Sequence, residues 1–393
     1  MVIVLEILVV IALLSAVLYS VIILLCGYGW YKIGSKTLSA GKRATIVSVI
    51  VAARNESENI MQILTTLVSQ NYPKQKFEII LIDDHSTDDT LSKAHKFCIQ
   101  HPHQVRVIIQ TLTLHHHGKK AAITQGVCLA NGELIITTDA DCTMGQDWIA
   151  SIVDFFEFSS AKMIVAPVCL HNERSFFNKM QQLEFLALMA TTGGSLYFNK
   201  AIMCNGANLA YTKNVFLEQK GFEGASNSAS GDDVLLMYKI KKAYPKEVLF
   251  LKNKKVIVYT EAKRTLSAFM NQRKRWASKK FIEFNSDTKT VSLIVYFFNL
   301  FLFLIAVTSI FQSQLSIFSI PLITFLITLF LIKSFVDFLL LFLSASFFNG
   351  KNLLIFFLPE QVLYIIYVVI SGVAALGRKY EWKGRIINEK EKG

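Results

Sequence analysis

The sequence predicts an α/β domain of doubly wound type, flanked on both sides by transmembrane helices. Three observations predict it. Residues 2–26 carry a single charge, Glu6, and long apolar runs return after residue 290. Between about Thr45 and Thr288, short β-rich runs alternate with more polar stretches of helical period. Two of those short runs end in carboxylates, at Asp83-Asp84 and at Asp139-Ala140-Asp141. Composition agrees: 52% of residues are hydrophobic and 18% charged, against roughly 25% charged in an average soluble protein. A disordered chain, a collagen-like chain and a small disulfide scaffold are excluded, and a wholly soluble protein is disfavoured. The formal net charge of +12 could serve nucleic acid. In so apolar a chain it points instead to loops facing an anionic leaflet, or to an anionic substrate.

Val2–Cys26 is long enough to span a bilayer. A signal peptide is the competing reading. No basic n-region precedes the run, it exceeds an h-region in length, and no small-x-small site comes after it, so a retained anchor is expected. Lys32, Lys36, Lys42 and Arg43 come next, and the positive-inside rule puts the domain after them in the cytosol. Strands are expected at Ile46–Ala52, Glu78–Ile82, Val105–Ile109 and Leu134–Thr138, with helices at Glu58–Gln70 and Thr90–Cys98. Ligands of such a sheet bind outside the carboxyl ends of its strands. Val291–Gln312 reads as a span. Leu315–Phe348, interrupted by Lys333 and Asp337, is either one tilted span or a span plus an interfacial piece. Leu353–Leu376, which holds Pro359, Glu360 and Gln361, is another. Three spans after a cytosolic domain put the tail on the far face, whereas Arg378, Lys379, Lys383 and Arg385 favour the cytosolic one. The expected divisions are an N-terminal span (1–28), a basic linker (29–45), a catalytic domain with interfacial segments (46–288), a bundle of about three spans (289–377) and a basic tail (378–393). Cys26, Cys98, Cys128, Cys142, Cys169 and Cys204 are scattered without a metal or redox spacing, as in a reducing compartment.

Ala53-Arg54-Asn55-Glu56 closes the first strand. It suits a nucleotide base and ribose, or simply caps a helix. In Asp83-Asp84-His85-Ser86-Thr87-Asp88-Asp89, the last residues read as a helix start. The first two are like charges that need donors or a cation beside them. Asp139 and Asp141, at i and i+2 after a strand, can both reach one hard divalent cation, and magnesium is commonly held by one or two carboxylates plus substrate phosphates. His115-His116-His117 invites a metal reading, but adjacent residues rarely aim at one ion and no fourth ligand is evident. Gly118-Lys119-Lys120 fits a loop near phosphate, or a solvated turn. Gly231-Asp232-Asp233 and Gln272-Arg273-Lys274-Arg275-Trp276 complete the set, and no P-loop signature accompanies them. A carboxylate with an Arg/Trp cluster suits sugar transfer: the carboxylate takes a hydroxyl proton, the guanidinium steadies a diphosphate, and the indole stacks on a sugar ring. The second cluster also fits an interfacial anchor before a span.

In this order, A-R-N-E, D-D-H-S-T-D, D-A-D, G-D-D and Q-R-K-R-W resemble the family-2 inverting glycosyltransferases with a GT-A (Rossmann-like) catalytic domain. The match is to the membrane-embedded branch, which includes cellulose, hyaluronan and poly-N-acetylglucosamine synthases and ceramide glucosyltransferases. It covers roughly residues 46–280. The resemblance implies that Ala53, Arg54 and Glu56 with Asp84 hold the uridine end of a nucleotide sugar, with Lys119 nearby. It implies that Asp139 and Asp141 meet the ribose and a diphosphate bound to Mg2+ or Mn2+. Asp233 would be the catalytic base and Asp232 its supporting acid. Gln272, Arg275 and Trp276 would serve diphosphate and acceptor, and Asn205–Asn208 would line the acceptor side. Ala53 stands where many members have Pro, and His85 where Gly is frequent. The expected protein is a multi-pass inner-membrane enzyme with its catalytic domain in the cytosol. Its expected partners are a nucleotide-sugar donor, a lipid or glycan acceptor and membrane lipids, with no nucleic acid. The small bundle argues for a lipid acceptor over a long polymer channel. A processive polysaccharide synthase, a transporter using Lys333, Asp337 and Glu360, and an inactive binding homologue are the alternatives.

Overall fold

The computed structural model describes residues 2–35, 41–102, 105–113, 117–171, 175–223, 232–278, 286–312, 314–375, 379–382 and 385–388. Helix α1 (Val2–Ile33) opens the chain. Next come β1 (Val47–Ala53), α2 (Ile60–Val68), β2 (Phe77–Asp83), α3 (Thr90–Gln100), β3 (Arg106–Thr111), α4 (Lys119–Leu129), β4 (Leu134–Asp139), β5 (Thr143–Met144), α5 (Trp148–Phe158), β6 (Met163–Val165) and β7 (Val168–Leu170). After α6 (Phe176–Tyr197) come β8 (Leu209–Thr212), α7 (Lys213–Glu218), α8 (Asp232–Ala243), β9 (Val248–Phe250) and β10 (Val258–Thr260). Helices α9 (Leu266–Ser278), α10 (Ser286–Phe311), α11 (Leu322–Phe347) and α12 (Phe357–Ala375) lead to a short hairpin, Lys379–Trp382 with Arg385–Asn388. The chain divides into two compact units, one of residues 33–171, 199–262 and 381–393, the other of residues 1–32, 172–198 and 263–380. Lys36, His115, His116, Gly231, Arg378 and Lys383 lie outside the described residues.

The α/β unit is built on a seven-stranded sheet in the order β3-β2-β1-β4-β8-β6-β9. Its first four strands are parallel to one another, and β8 runs antiparallel to β4 and β6. Strands β1, β2 and β4 are buried along nearly their whole length. That burial is why they read as continuous apolar runs and not as alternating ones. From β1 the chain winds outward through β2 and β3, then returns to the other side as β4. The turning point therefore lies between β1 and β4, where ligands of open α/β sheets bind. Register aligns the strand ends, with Ala53 beside Asp83 and Ala52 beside Asp139. The expected strands and helices all appear. Helix α2 starts later than the apolar stripe suggests, because the amides of Asn59 and Ile60 both donate to the Glu56 carbonyl in a preceding turn. A smaller sheet, β5-β10-β7, brings Thr260 close to the D-A-D segment.

In the helical unit, four segments are long and apolar enough to cross a membrane: Ile3–Ile33, Ser286–Phe311, Leu322–Phe347 and Lys351–Ala375. Leu315–Phe348 thus holds one candidate span, Leu322–Phe347, preceded by a short hairpin that pairs Ile317 with Ile320. Helices α1 and α6 meet backbone to backbone. A Cβ on Gly29 would lie 2.3 Å from the Gly194 carbonyl oxygen, and one on Gly194 would lie 1.9 Å from that of Cys26. Polar groups cross-link the spans. Lys333, fully buried, donates to Asp337 Oδ2 at 2.7 Å and to Gln361 Oε1. Tyr19 donates its hydroxyl to Asp337 Oδ1 at 2.7 Å, and Gln361 Nε2 donates to Glu360 Oε2 at 3.1 Å. Lys333 and Asp337 are thus paired with each other, and Gln361 links Lys333 to Glu360, tying α1, α11 and α12 together.

Candidate active site

The site begins where β2 and β1 end. The Asp84 amide donates to the Ala53 carbonyl at 2.8 Å. Arg54 Nη1 donates to the carbonyls of Asp84 at 2.6 Å and His85 at 3.1 Å, stapling the loop after β2 to the end of β1. His85 has φ of 53°, the left-handed region, which accounts for a position that glycine would suit. The Glu56 amide donates to Thr90 Oγ1 at 2.8 Å, and its carboxylate accepts from Asn59 Nδ2 at 2.8 Å. Backbone donors relieve the paired acids: Ser86 N reaches Asp83 Oδ2 at 3.1 Å, and Gly118 N reaches Asp84 Oδ2 at 3.1 Å. Both acids are buried. His117 stands 3.9 Å from Asp84 Oδ1, and Asp84, His85 and His117 each place a ligand atom within 4.8 Å of the others. The third histidine of the tract therefore faces the loop after β2, a proximity that sequence spacing does not express.

One step along the sheet, α4 begins with Lys119, whose ammonium pairs with Asp139 Oδ1. The Gly206 amide donates to Asp233 Oδ2 at 2.8 Å. A Cβ on Gly206 would lie 3.2 Å from Lys119 Nζ and 3.4 Å from Asp233 Oδ2. Lys119, Asp139 and Asp233 thus gather around one stretch of bare backbone, and Thr137 Oγ1 ties it to β4 by donating to the Gly206 carbonyl at 3.3 Å. The second oxygen of Asp233 accepts from Val234 N at 2.9 Å. Asp232 is the first residue of α8, directly before Asp233. Asp141 accepts from Thr260 Oγ1 at 3.4 Å, a partner 119 residues away that no local pattern announces. Burial, then the carboxylates of Asp141 and Asp139, push the Cys142 thiol well above its ordinary range. Two carboxylates of this spacing at a strand end are the hard oxygen donors that Mg2+ or Mn2+ takes, so the residues present fit such an ion.

Asn208 departs from expectation. It does not line an acceptor surface but is fully buried, with Nδ2 donating to the Pro167 and Val256 carbonyls, each at 2.7 Å, and Oδ1 accepting from Trp148 Nε1 at 3.0 Å. Its amide is spent on joining three segments of the core.

Gln272, Arg275 and Trp276 lie on α9, in the helical unit, and all three are half-buried. Between them, Arg273 is buried, with its guanidinium carbon 4.4 Å from the Trp276 ring centroid.

A parallel sheet turning between β1 and β4, with acids at the ends of β2 and β4, defines a GT-A-type nucleotide-sugar fold. The chain belongs to glycosyl transferase family 2: the family model "Glycosyl transferase family group 2" matches residues 134–348, more than half of the chain, and "Glycosyl transferase family 2" matches residues 48–218. Relatives include the probable glycosyltransferase YdaM of Bacillus subtilis, 23% identical over 66% of this chain and 64% of that protein. The β-monoglucosyldiacylglycerol synthase of Nostoc is 25% identical over 59% of this chain and 48% of its own. The poly-β-1,6-N-acetyl-D-glucosamine synthase of Staphylococcus epidermidis is 24% identical over 64% and 59%. The chain spans less than two thirds of the length of each of these relatives. Among solved structures, a mannosyltransferase of Pyrobaculum calidifontis in complex with GDP-mannose and Mn2+ superposes with a TM-score of 0.57 at 17% identity. The match covers 94% of this chain and 99% of that one, and it supports the fold.

Proposed function

We propose that the protein is a membrane glycosyltransferase that moves a sugar from a UDP-sugar to a lipid acceptor with inversion. The observation that carries this reading is the meeting of Lys119, Asp139 and Asp233 around the Gly206 backbone at the turning point of the sheet. In the reaction, Asp233 takes the proton of the acceptor hydroxyl. The acceptor oxygen forms a bond to the anomeric carbon as that carbon's bond to the diphosphate breaks, and the nucleoside diphosphate leaves with the electron pair. A single displacement of this kind inverts the anomeric centre. Lys119 offers positive charge where the diphosphate arrives, and Arg54 keeps the base-side loop in place. Asp139 and Asp141 would hold a Mg2+ or Mn2+ ion, which when bound neutralises diphosphate charge. Gln272, Arg275 and Trp276 are assigned to diphosphate and acceptor on the likeness of their motif alone. Lys32 in the last turn of α1, with Lys42 and Arg43 close after it, supports a cytosolic catalytic face at the inner membrane. The small bundle and the similarity to a diacylglycerol glycosyltransferase support a lipid acceptor, while the similarity to a poly-N-acetylglucosamine synthase keeps a polymer product as the second outcome.

The test feeds membranes containing the protein a panel of labelled nucleotide sugars, with and without chelator. Label extracted into organic solvent marks a glycolipid, and label retained as high-mass polymer marks a polysaccharide. Folded protein that transfers from no member of the panel would overturn the proposal.

A further inference from the structure

Arg273 sits inside Q-R-K-R-W but is not among the residues to which that motif assigns a role. Its guanidinium is engaged on three sides. Nη2 pairs with Glu184 Oε2 of α6, and the two side chains are only 6% and 9% exposed. Nη1 donates to Gln272 Oε1 at 2.7 Å. The guanidinium carbon lies 4.3 Å from the Phe269 ring centroid and 4.4 Å from that of Trp276, both cation–π distances. Phe269, Arg273 and Trp276 fall at i, i+4 and i+7, on one face of α9. Arg273 thus touches two of the three residues that the motif makes functional.

A buried ion pair is poor evidence for stability in itself, since well-packed apolar residues often do as well. What this pair supplies is geometry. A planar fork can donate along two edges while its face packs on rings, and an ammonium cannot. Glu184 fixes the fork, and the fork fixes a carboxamide on one side and an indole on the other.

We propose that Arg273, locked by Glu184, is a positioning residue that sets the Gln272 carboxamide and the Trp276 indole for sugar transfer. This rests on the reading of Gln272 and Trp276 as diphosphate and acceptor residues.

The experiment uses the full chain in lipid nanodiscs and the labelled UDP-sugar that the wild-type protein consumes. Arg273→Lys keeps the charge opposite Glu184. Its melting temperature should stay near wild type and its donor KM within about twofold, while kcat falls at least about tenfold, the scale of a small misplacement of reacting groups. The swapped pair, Arg273→Glu with Glu184→Arg, should regain the stability that either single change loses. It should not regain transfer, because a carboxylate then faces the indole. Trp276 is read separately as the difference in fluorescence between each protein and its Trp276→Phe counterpart, and Arg273→Lys should make that emission more open to acrylamide quenching. Full kcat in Arg273→Lys or in the swapped pair, or unchanged quenching, overturns the proposal. If Gln272→Ala and Trp276→Ala both keep full transfer, the assignment of those two residues fails instead, and the quenching result still decides whether Arg273 orders the indole.

Discussion

The amide of Gly206 donates to Asp233 Oδ2 at 2.8 Å, so the side chain that would act as base is aimed by a backbone group contributed by another segment. The other Asp233 oxygen accepts from Val234 N. An asparagine at this position could keep one accepting oxygen and the same shape while losing its basicity.

Asp233→Asn should therefore fold normally and bind UDP as the wild type does. Its turnover should fall by roughly 10²–10⁴-fold, the usual worth of a general base. Asp232→Asn should cost less. Calorimetry with UDP and a transfer assay on equal amounts of folded protein separate binding from chemistry. Turnover at the wild-type level would remove Asp233 from the reaction.

Gly206→Ala tests the bare backbone. The added methyl would stand 3.2 Å from Lys119 Nζ and 3.3 Å from Asp233 Cβ, so both must shift. Transfer should drop at least about tenfold, with a melting temperature close to wild type because Gly206 is not among the residues with positive φ. Normal transfer would show that the two side chains do not need this spacing.

Asp139→Asn and Asp141→Asn should each weaken the dependence of UDP binding on Mn2+, since hard cations prefer anionic oxygen. Titrating UDP with and without Mn2+ measures the effect. If both variants respond to the ion as the wild type does, the D-A-D segment does not hold it.

Lys333→Leu strands Asp337 among apolar helices and should destabilise the bundle by roughly 3–5 kcal/mol, as breaking a buried pair does. Lys333→Leu with Asp337→Leu should recover part of that loss. Survival of monodisperse protein after heating in detergent reports both. A single variant as robust as the double would mean the pair is no lock, and would revive a transport role for these charges.

Glu157 accepts from the amides of Arg43, Ala44 and Thr45 and from Thr45 Oγ1. Burial raises its pKa, but these bonds outweigh it and hold the carboxyl below its ordinary value. A folded pKa below the unfolded one means its contribution is complete above the unfolded value of about 4.3 and is lost as pH falls through the folded value. Glu157→Gln should lower the melting temperature at pH 7, and the gap to wild type should narrow in acid. A gap that does not change with pH would separate these bonds from the charge.

The parallel half of the sheet was legible because strands buried on both faces leave continuous apolar runs, and β1, β2 and β4 are of that kind. β8 was not legible. Its four residues, Leu-Ala-Tyr-Thr, give too short a run to show a period, and it is placed by antiparallel pairing with β4 and β6. The acids of the site could be read from their positions at strand ends. What each one meets could not. Thr260 reaches Asp141 from the small sheet, and Asn208 is drawn into the core by Trp148 and by the carbonyls of Pro167 and Val256, 41 and 48 residues away. Arg273 was visible as a letter of a motif, but its role depends on Glu184, 89 residues earlier.

The crossing of α1 and α6 at Gly29 and Gly194 has a bearing on how this protein can be altered. A foreign leader matched only for length and hydropathy would still deliver the chain to the bilayer, yet it would hold α6 away with whatever side chain it carried at the crossing. The two positions also admit no mutual compensation. A bulky change at one site is often rescued by a smaller neighbour, but here the atoms in the way are backbone, those of Gly194 for a side chain at position 29 and those of Cys26 for one at position 194, and no substitution makes a backbone smaller.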